Sequence, residues 1–461
     1  MTLDVPRWQR RLAELARVHD VPGVSLGVLA GGEVTTVATG VLNVRTGVPV
    51  TPDAVFQIGS IGKPYTATVI VRLAEDGKLD LDAPVRDVLP DFKVADPEVS
   101  AAVTPRHLLT HTSGIAGECF TDTGRGDDCL KLYVEQCADL GQDVPLGATM
   151  SYCNTGYCIL GRIIEVLTGQ VWDTAMRELL FDPLGLTRTV TLPEDVARHR
   201  YAWGHSSDPG ERPAAVPVWD DARALGPAGA ICASAADLLA FARLHLDGGV
   251  APDGTRLLSE ESVREMQRIH VDVPEPWATG PHWGLGWIRH QYDGRQLFGH
   301  DGNTIGQNAY LLAVPDRDVA IALLTNVSSA HELSVEVYRE LLSELCDIHV
   351  PPWPSPVENG EEPPPDVVGS YQRYGIRIDI ERAADALTAT AQIVEPLASQ
   401  SPVKQDPVTF DLRPTTVGGE VFVARRPGDP TWLPVVFFKV DGDRYVHMGA
   451  RAQRRVDEVA S

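Results

Sequence analysis

Nowhere does the chain offer an uninterrupted apolar run near the roughly 18 residues that a membrane helix requires, so no bilayer-spanning segment is expected. Its first residues, MTLDVPRWQRRLAELARVHD, lack the apolar core of a secretory signal. They space Leu12, Leu15 and Ala16 along one helical face instead, which reads as a mature cytoplasmic start. Basic residues are scarce: 40 Lys plus Arg face 63 Asp plus Glu, a formal charge of -23. Such a surface repels phosphate backbones and anionic headgroups, so neither nucleic acid nor a membrane surface is an expected partner. Paired CxxC spacing is also missing. Seven cysteines are present and Cys119, Cys129, Cys137, Cys153 and Cys158 crowd one region, but without a zinc-site pattern. Free thiols in a reducing cytosol are expected over a loop disulfide such as Cys119 with Cys129. His107 and His111 stand at i, i+4 with no convincing third ligand, so they read as structural. No metal and no cofactor is expected.

With 461 residues, 43% hydrophobic and 22% charged, the chain is long enough for two domains and apolar enough to bury large cores. After the first helix, GVSLGVLA at 23–30 and EVTTVATG at 33–40 flank Gly31-Gly32, a hairpin signal. Helical spacing runs from Lys63 to Glu75 and meets Gly77, a second helix follows Asn154, and a third follows Ser234 with a Ser-x-x-Asp box to Asp237. Strands are expected at 307–313 and 318–326 around the Pro315-Asp316 turn. Strands at both ends with helices between give an α+β catalytic domain over 1–349. Residues 350–365, VPPWPSPVENGEEPPP, read as a stiff exposed linker. Over 366–461 the runs GIRIDI, ALTATAQI, EVFVARR and VVFFKV predict a small antiparallel β-barrel with nothing catalytic in it.

Ser60 and Lys63, in Gly59-Ser60-Ile61-Gly62-Lys63, fall on one face at a helix start. A serine hydroxyl attacks well only when a neighbouring base takes its proton, and a desolvated lysine can be that base. The helix dipole favours the developing alkoxide. Chance alone produces Ser-x-x-Lys on many helices, so the motif needs company. It has company in Ser151-Tyr152-Cys153-Asn154, leading into a helix, and in Gly299-His300-Asp301-Gly302, leading into strands.

Taken in order, Ser-x-x-Lys, Tyr-x-Asn and His-x-Gly resemble the three motifs of the serine β-lactamase and penicillin-binding-protein superfamily, in particular its class C β-lactamase-related branch. HLLTHTSGI at 107–115, NTGYCILGRIIEVLTG at 154–169, GPAGAICASAADLLAFA at 226–242 and GHDGNTIGQNAYLLAVPD at 299–316 resemble it too, so the likeness covers roughly 8–345. It implies a β-lactamase/transpeptidase-like fold, an antiparallel sheet flanked by helices. It also implies catalytic roles for Ser60 as nucleophile, Lys63 as base, Tyr152 as partner in proton transfer, and Asn154 as orienter of Lys63 and the substrate amide. His300 stands where lysine is common, which argues against penicillin recognition and suits positioning of the tyrosine or a substrate carboxylate. The oxyanion hole would use the backbone N–H groups of Ser60 and Asn303, with Gly302 permitting close approach. Asp301 reads as a turn or surface residue, and Trp277, Trp283 and Trp287 as core filling.

A histidine in the third motif, no export signal and a β-rich extra domain resemble penicillin-binding-protein-type thioesterases with a lipocalin-like C-terminal domain. That resemblance implies a peptidyl or acyl (thio)ester substrate, release and macrocyclisation of a nonribosomal peptide, and a peptidyl carrier protein as partner. Carrier proteins are usually acidic, so docking would need a basic patch, for which Arg10-Arg11 and 451–455 (RAQRR) are the candidates. The cysteine-rich insert at 116–147 would serve as a lid against water. An esterase or D-amino-acid peptidase of the same superfamily is the alternative, and a catalytically inactive ligand-binding or sensing module is the alternative from another class.

Overall fold

A computed structural model describes residues 3–207, 210–219, 222–358, 363–383, 386–400, 406–426 and 431–456. Asp4 accepts the Arg7 N–H and starts helix α1 (Val5–Val18), whose buried stripe is Trp8, Leu12, Leu15 and Ala16. Strands β1 (Gly23–Ala30) and β2 (Glu33–Gly40) form the expected hairpin, closed by Gly31 and Gly32, both in the left-handed region that glycine tolerates. The next long element is helix α2 (Gly62–Glu75), preceded by a tight 3-10 turn, Gly59–Ile61, that carries Ser60. Helix α3 (Asn154–Thr168) ends at Gly169 with φ +71°, a left-handed cap. Helix α4 (Ala235–Leu246) is capped by Ser234, which accepts the Asp237 N–H at 3.2 Å. The expected box is only half formed, because the Asp237 carboxylate takes the Arg188 N–H and the Thr189 hydroxyl instead.

Short strands β3 (Val271–Asp272) and β4 (His282–Trp283) lead to β5 (Ile288–Tyr292), β6 (Arg295–Thr304), β7 (Gln307–Val314) and β8 (Val319–Thr325). Among the described residues these join the first hairpin in an eight-stranded sheet ordered β2-β1-β8-β7-β6-β5-β4-β3, antiparallel throughout. β1 and β8 are buried at every position, since each has a strand on both sides and helices on both faces. Helices α1 and α5 (His331–Cys346) pack one face through Trp8, Leu12, Leu333 and Leu341, while α2, α3 and α4 cover the other.

The C-terminal region is a closed barrel of eight antiparallel strands: β9 (Gly369–Arg373), β10 (Ile376–Ala383), β11 (Ala386–Ile393), β12 (Val408–Pro414), β13 (Val421–Arg425), β14 (Leu433–Val440), β15 (Asp443–Met448) and β16 (Arg451–Val456). Four of these strands correspond to the runs seen in the sequence. Closure against β9 removes the exposed edge that β16 would otherwise leave. The proline-rich stretch is exposed at Pro351, Pro352, Ser355 and Glu358, though not throughout. Pro354 is buried, and the Val357 N–H donates to the Pro414 carbonyl at 3.0 Å, so this stretch is docked on the protein. Its residues 359–362 lie outside the described residues.

Candidate active site

Ser60 is held where strand β6 crosses the turn Gly59–Ile61. A Cβ at Gly302 would collide with the Ile58 carbonyl oxygen and lie 2.8 Å from the Ser60 nitrogen. One at Gly59, whose φ is +52°, would lie 2.7 Å from the Asn303 backbone nitrogen and oxygen. Only two glycines let these backbones touch, and their contact sets the Ser60 amide beside Gly302 and Asn303. Lys63, one turn on, is fully buried. Its Nζ hydrogen-bonds Ser60 Oγ at 2.9 Å, donates to the Ala228 carbonyl at 2.6 Å, and stands 4.8 Å and 5.5 Å from the ring centres of Tyr152 and Tyr157. Burial drives its pKa well below the ordinary 10.5; the Cys158 and Cys153 thiols oppose that shift and Arg451 adds to it. A neutral amine at this distance can take the serine proton.

Tyr152 faces Ser60 without closing a hydrogen bond to it. Burial raises the phenol pKa, opposed by Ser60 and by Arg451, whose guanidinium carbon is 5.2 Å from the ring centre. The ring stacks on His111 at 4.2 Å and meets the edge of Trp283 at 5.8 Å. His111 has φ +57° and accepts the Cys153 N–H on Nδ1 at 3.0 Å, so the loop before α3 is pinned behind the tyrosine. His300 is buried, and its Nδ1–H donates to the Asp301 carbonyl at 2.6 Å. Burial lowers its pKa to about 3. The ring is therefore neutral, with an unprotonated Nε2 that has no partner among the described residues, and its centre lies 6.3 Å from that of Tyr152.

A cavity of about 540 Å³ brings together Ser60, Tyr152, Asn154, His300, Gly302 and Asn303. Asn154 opens α3 at the cavity wall, and among the described residues no hydrogen bond joins it to Lys63. Asp301 is exposed, as one half of its expectation had it, but lies in no turn: it is within β6 opposite Tyr310 and borders the cavity. Trp283 lines the cavity, whereas Trp287 packs in the core against Phe298 and Phe241 as expected. Among the described residues no cluster of three or more His, Cys, Asp or Glu could hold a metal ion, and His107 instead completes a capping box with Thr104. All seven cysteines are buried, and none forms a disulfide.

The largest departure from the sequence reading is that the barrel reaches the site. Its turn Gly449–Arg451 forms part of the cavity wall. The Tyr152 N–H donates to the Ala450 carbonyl at 3.0 Å, and Ser151 Oγ accepts the Ala452 N–H at 3.2 Å. Glu118, at the start of the expected lid, forms ion pairs with Arg373 and with Arg451, the latter at 2.9 Å, and all three side chains are largely buried. Sequence spacing could not connect position 451 to position 118; only the HLLTHTSGI segment carried a readable signal, for His111. The basic stretch at 451–455 is spent on such contacts: Arg451 turns inward, Arg454 pairs with Asp443, and Arg455 donates to the Asp366 carbonyl. Arg11 is likewise tied to Glu340, Glu336 and Glu14.

This geometry is that of a serine hydrolase, and the Beta-lactamase family matches residues 8–343, so the chain belongs to that family. It is 49% identical over 382 residues to the Penicillin-binding protein 4 of Amycolatopsis lactamdurans, covering 81% of this chain and 99% of that protein. The crystal structure of SurE superposes with a TM-score of 0.78 at 30% identity over 98% of both chains, barrel included, and SurE with D-Leu does so at 0.76 and 29%, over 98% of this chain and 99% of that one. A class C β-lactamase from Rhodobacter sphaeroides matches 73% of this chain and 98% of its own, with a TM-score of 0.59 and 25% identity. No helix among the described residues is long and apolar enough to cross a membrane.

Proposed function

We propose that the enzyme is a penicillin-binding-protein-type thioesterase that takes a peptidyl chain from a carrier-protein thioester onto Ser60 and releases it as a macrocycle. Lys63 Nζ takes the Ser60 proton as Oγ attacks the thioester carbonyl, the C–S bond breaks, and the thiolate leaves with a proton relayed through Tyr152 and Lys63. The amide hydrogens of Ser60 and Asn303 stabilise the oxyanion. The peptide's own amine then attacks the Ser60 ester, passes its proton to Lys63 or Tyr152, and Ser60 Oγ leaves protonated. His300, neutral and bare at Nε2, holds the tyrosine side of the site and accepts a hydrogen bond from substrate. Asn154 contacts the substrate amide.

The carrying observation is the buried Lys63 amine 2.9 Å from Ser60 Oγ, in a cavity that the barrel turn and Glu118 close on one side. Such a wall favours an amine held on the enzyme over bulk water as acceptor. The likeness to SurE across both regions supports the same reading. A second reading, an amidase or esterase acting on D residues, is favoured by the D-Leu held by SurE. The two separate on product: given a peptidyl thioester with a free amino terminus, the cyclase yields cyclic peptide and the amidase yields linear acid. Linear acid alone, across a panel of peptides with C-terminal D and L residues, would refute cyclisation.

A further inference from the structure

A second cavity, of about 350 Å³, lies on the sheet face opposite the one that His300 presents to Tyr152. Side chains alternate across a strand, so Asp301 points to this face while its neighbours His300 and Gly302 serve the Ser60 side. Tyr310 of β7, paired directly with Asp301, and Tyr338 of α5 form its floor. Trp277, Trp353 of the docked proline-rich stretch and Trp432 of the barrel complete an aromatic box. The ladder from β6 to β5 ends at Gly299, and past that point the two cavities meet, with Ala278, Asp301 and Tyr310 bordering both.

At that junction the Asp301 side chain is exposed to the cavities, and its carboxylate has no hydrogen bond or ion pair with any described residue. A carboxylate that borders both cavities without a counter-charge attracts a cation placed beside it. Aromatic faces attract the same cation and accommodate the apolar group attached to it. The cavity's other charged lining residues, Glu332 and Arg339, both lie on α5 and are of opposite sign, and the Arg425 guanidinium carbon lies 4.3 Å from the Trp432 ring centre, so the uncompensated carboxylate at the junction is that of Asp301.

We infer that this cavity is the acceptor-amine subsite, in which a residue with an aromatic or other large apolar side chain sits in the aromatic box and its free ammonium rests on Asp301. The inference builds on the reading above that an amine resolves the acyl-enzyme, and it names which amines: primary amines carrying a bulky apolar group, as at the amino terminus of a peptide beginning with such a residue.

The test uses 2-phenylethylamine and its N-acetyl derivative, which contain no ester or thioester for Ser60 to attack, with binding followed by calorimetry on the full-length protein. The free amine is expected to bind about tenfold more tightly than the neutral amide, the scale of one charge-assisted contact. Asp301→Asn brings that ratio to near one, and Trp353→Ala weakens both ligands several-fold while keeping their ratio. Equal affinities in the wild type, an unchanged ratio in Asp301→Asn, or no loss in Trp353→Ala would each overturn the subsite. Failure of the cyclase reading shows separately, as linear acid from peptidyl thioesters while this binding pattern holds; the cavity then stands as a subsite for the ammonium group of an amine-bearing substrate.

Discussion

Glu118, from the loop after the His111 segment, and Arg451, from the barrel's β15–β16 turn, form an ion pair at 2.9 Å beside Tyr152. Arg373 shares the same carboxylate. Removing the acid leaves two largely buried guanidiniums without their partner, the costly way to break a buried pair. Glu118→Ala is therefore expected to lose about 3 kcal/mol in denaturant unfolding. Arg451→Ala should lose less, because Glu118 keeps Arg373. Equal stability of Glu118→Ala and wild type would show that the barrel turn is not anchored here.

Lys63 supplies a pH signature. Its pKa lies well below 10.5 because the amine is buried, so it holds more free base at a given pH than an ordinary lysine. Acylation of Ser60 should then level off well below about pH 10, where an ordinary lysine would still be gaining the free base with each unit. Lys63→Met should lower the acylation rate by about 10²–10⁴-fold with little loss of folding, since no charge needs solvating there. A rate that climbs steadily towards pH 10 would contradict a neutral lysine.

His111 acts through Tyr152. His111→Ala removes the ring stacked at 4.2 Å and strands the Cys153 N–H that its Nδ1 accepts. A stability loss of about 1–3 kcal/mol is expected from the stranded donor. If the ring only fills space, His111→Phe restores activity; if the Nδ1 bond sets the tyrosine, kcat stays depressed while KM is near normal. The second outcome is the one predicted.

Gly302 is a geometric requirement. A Cβ there would press on Ile58 and on the Ser60 nitrogen, so Gly302→Ala must part β6 from the serine turn. Loss of one oxyanion donor is worth about 10²–10³-fold in kcat. Steady-state kinetics with any turned-over ester checks this, and a kcat within threefold of wild type would place the oxyanion hole elsewhere.

Asp143, whose carboxylate accepts the Tyr374 N–H of the barrel at 2.8 Å, has its pKa raised from 3.8 to about 6 by burial. In that range the folded state keeps a proton that the unfolded chain releases. Its stabilising contribution is thus full below about pH 4 and is lost as the pH rises through 6. Asp143→Asn should flatten the fall in thermal midpoint between pH 4 and 6 relative to wild type. An unaltered slope would mean that the group does not titrate in this interval.

Much of the catalytic half was legible in the sequence because its signals are local. Gly31-Gly32 fixed the hairpin, Gly169 ended α3, and Ser60 with Lys63 needed only one turn of chain to meet. The relations that escaped are those between distant segments. Nothing near residue 451 announces Glu118, and the alternation that sends His300 and Asp301 to opposite faces has meaning only once β5 is seen to end its pairing at Gly299. The aromatic box was unreadable for the same reason: Trp277, Trp353 and Trp432 come from three separate segments, one of them read as a spacer. Charge counted along a sequence likewise takes no account of the carboxylates that fold against it: Arg11 pairs with Glu340 and Arg454 with Asp443.

Intact-protein mass spectrometry during turnover of a peptidyl thioester, with Ser60→Ala in parallel, tests the central claim most directly. Wild type is expected to gain the mass of the peptidyl thioester less that of the released thiol, with fragmentation placing it on the peptide containing Ser60, and Ser60→Ala is expected to gain nothing. An adduct of the same mass on Ser60→Ala, or turnover that survives the substitution, would contradict an acyl-enzyme at Ser60.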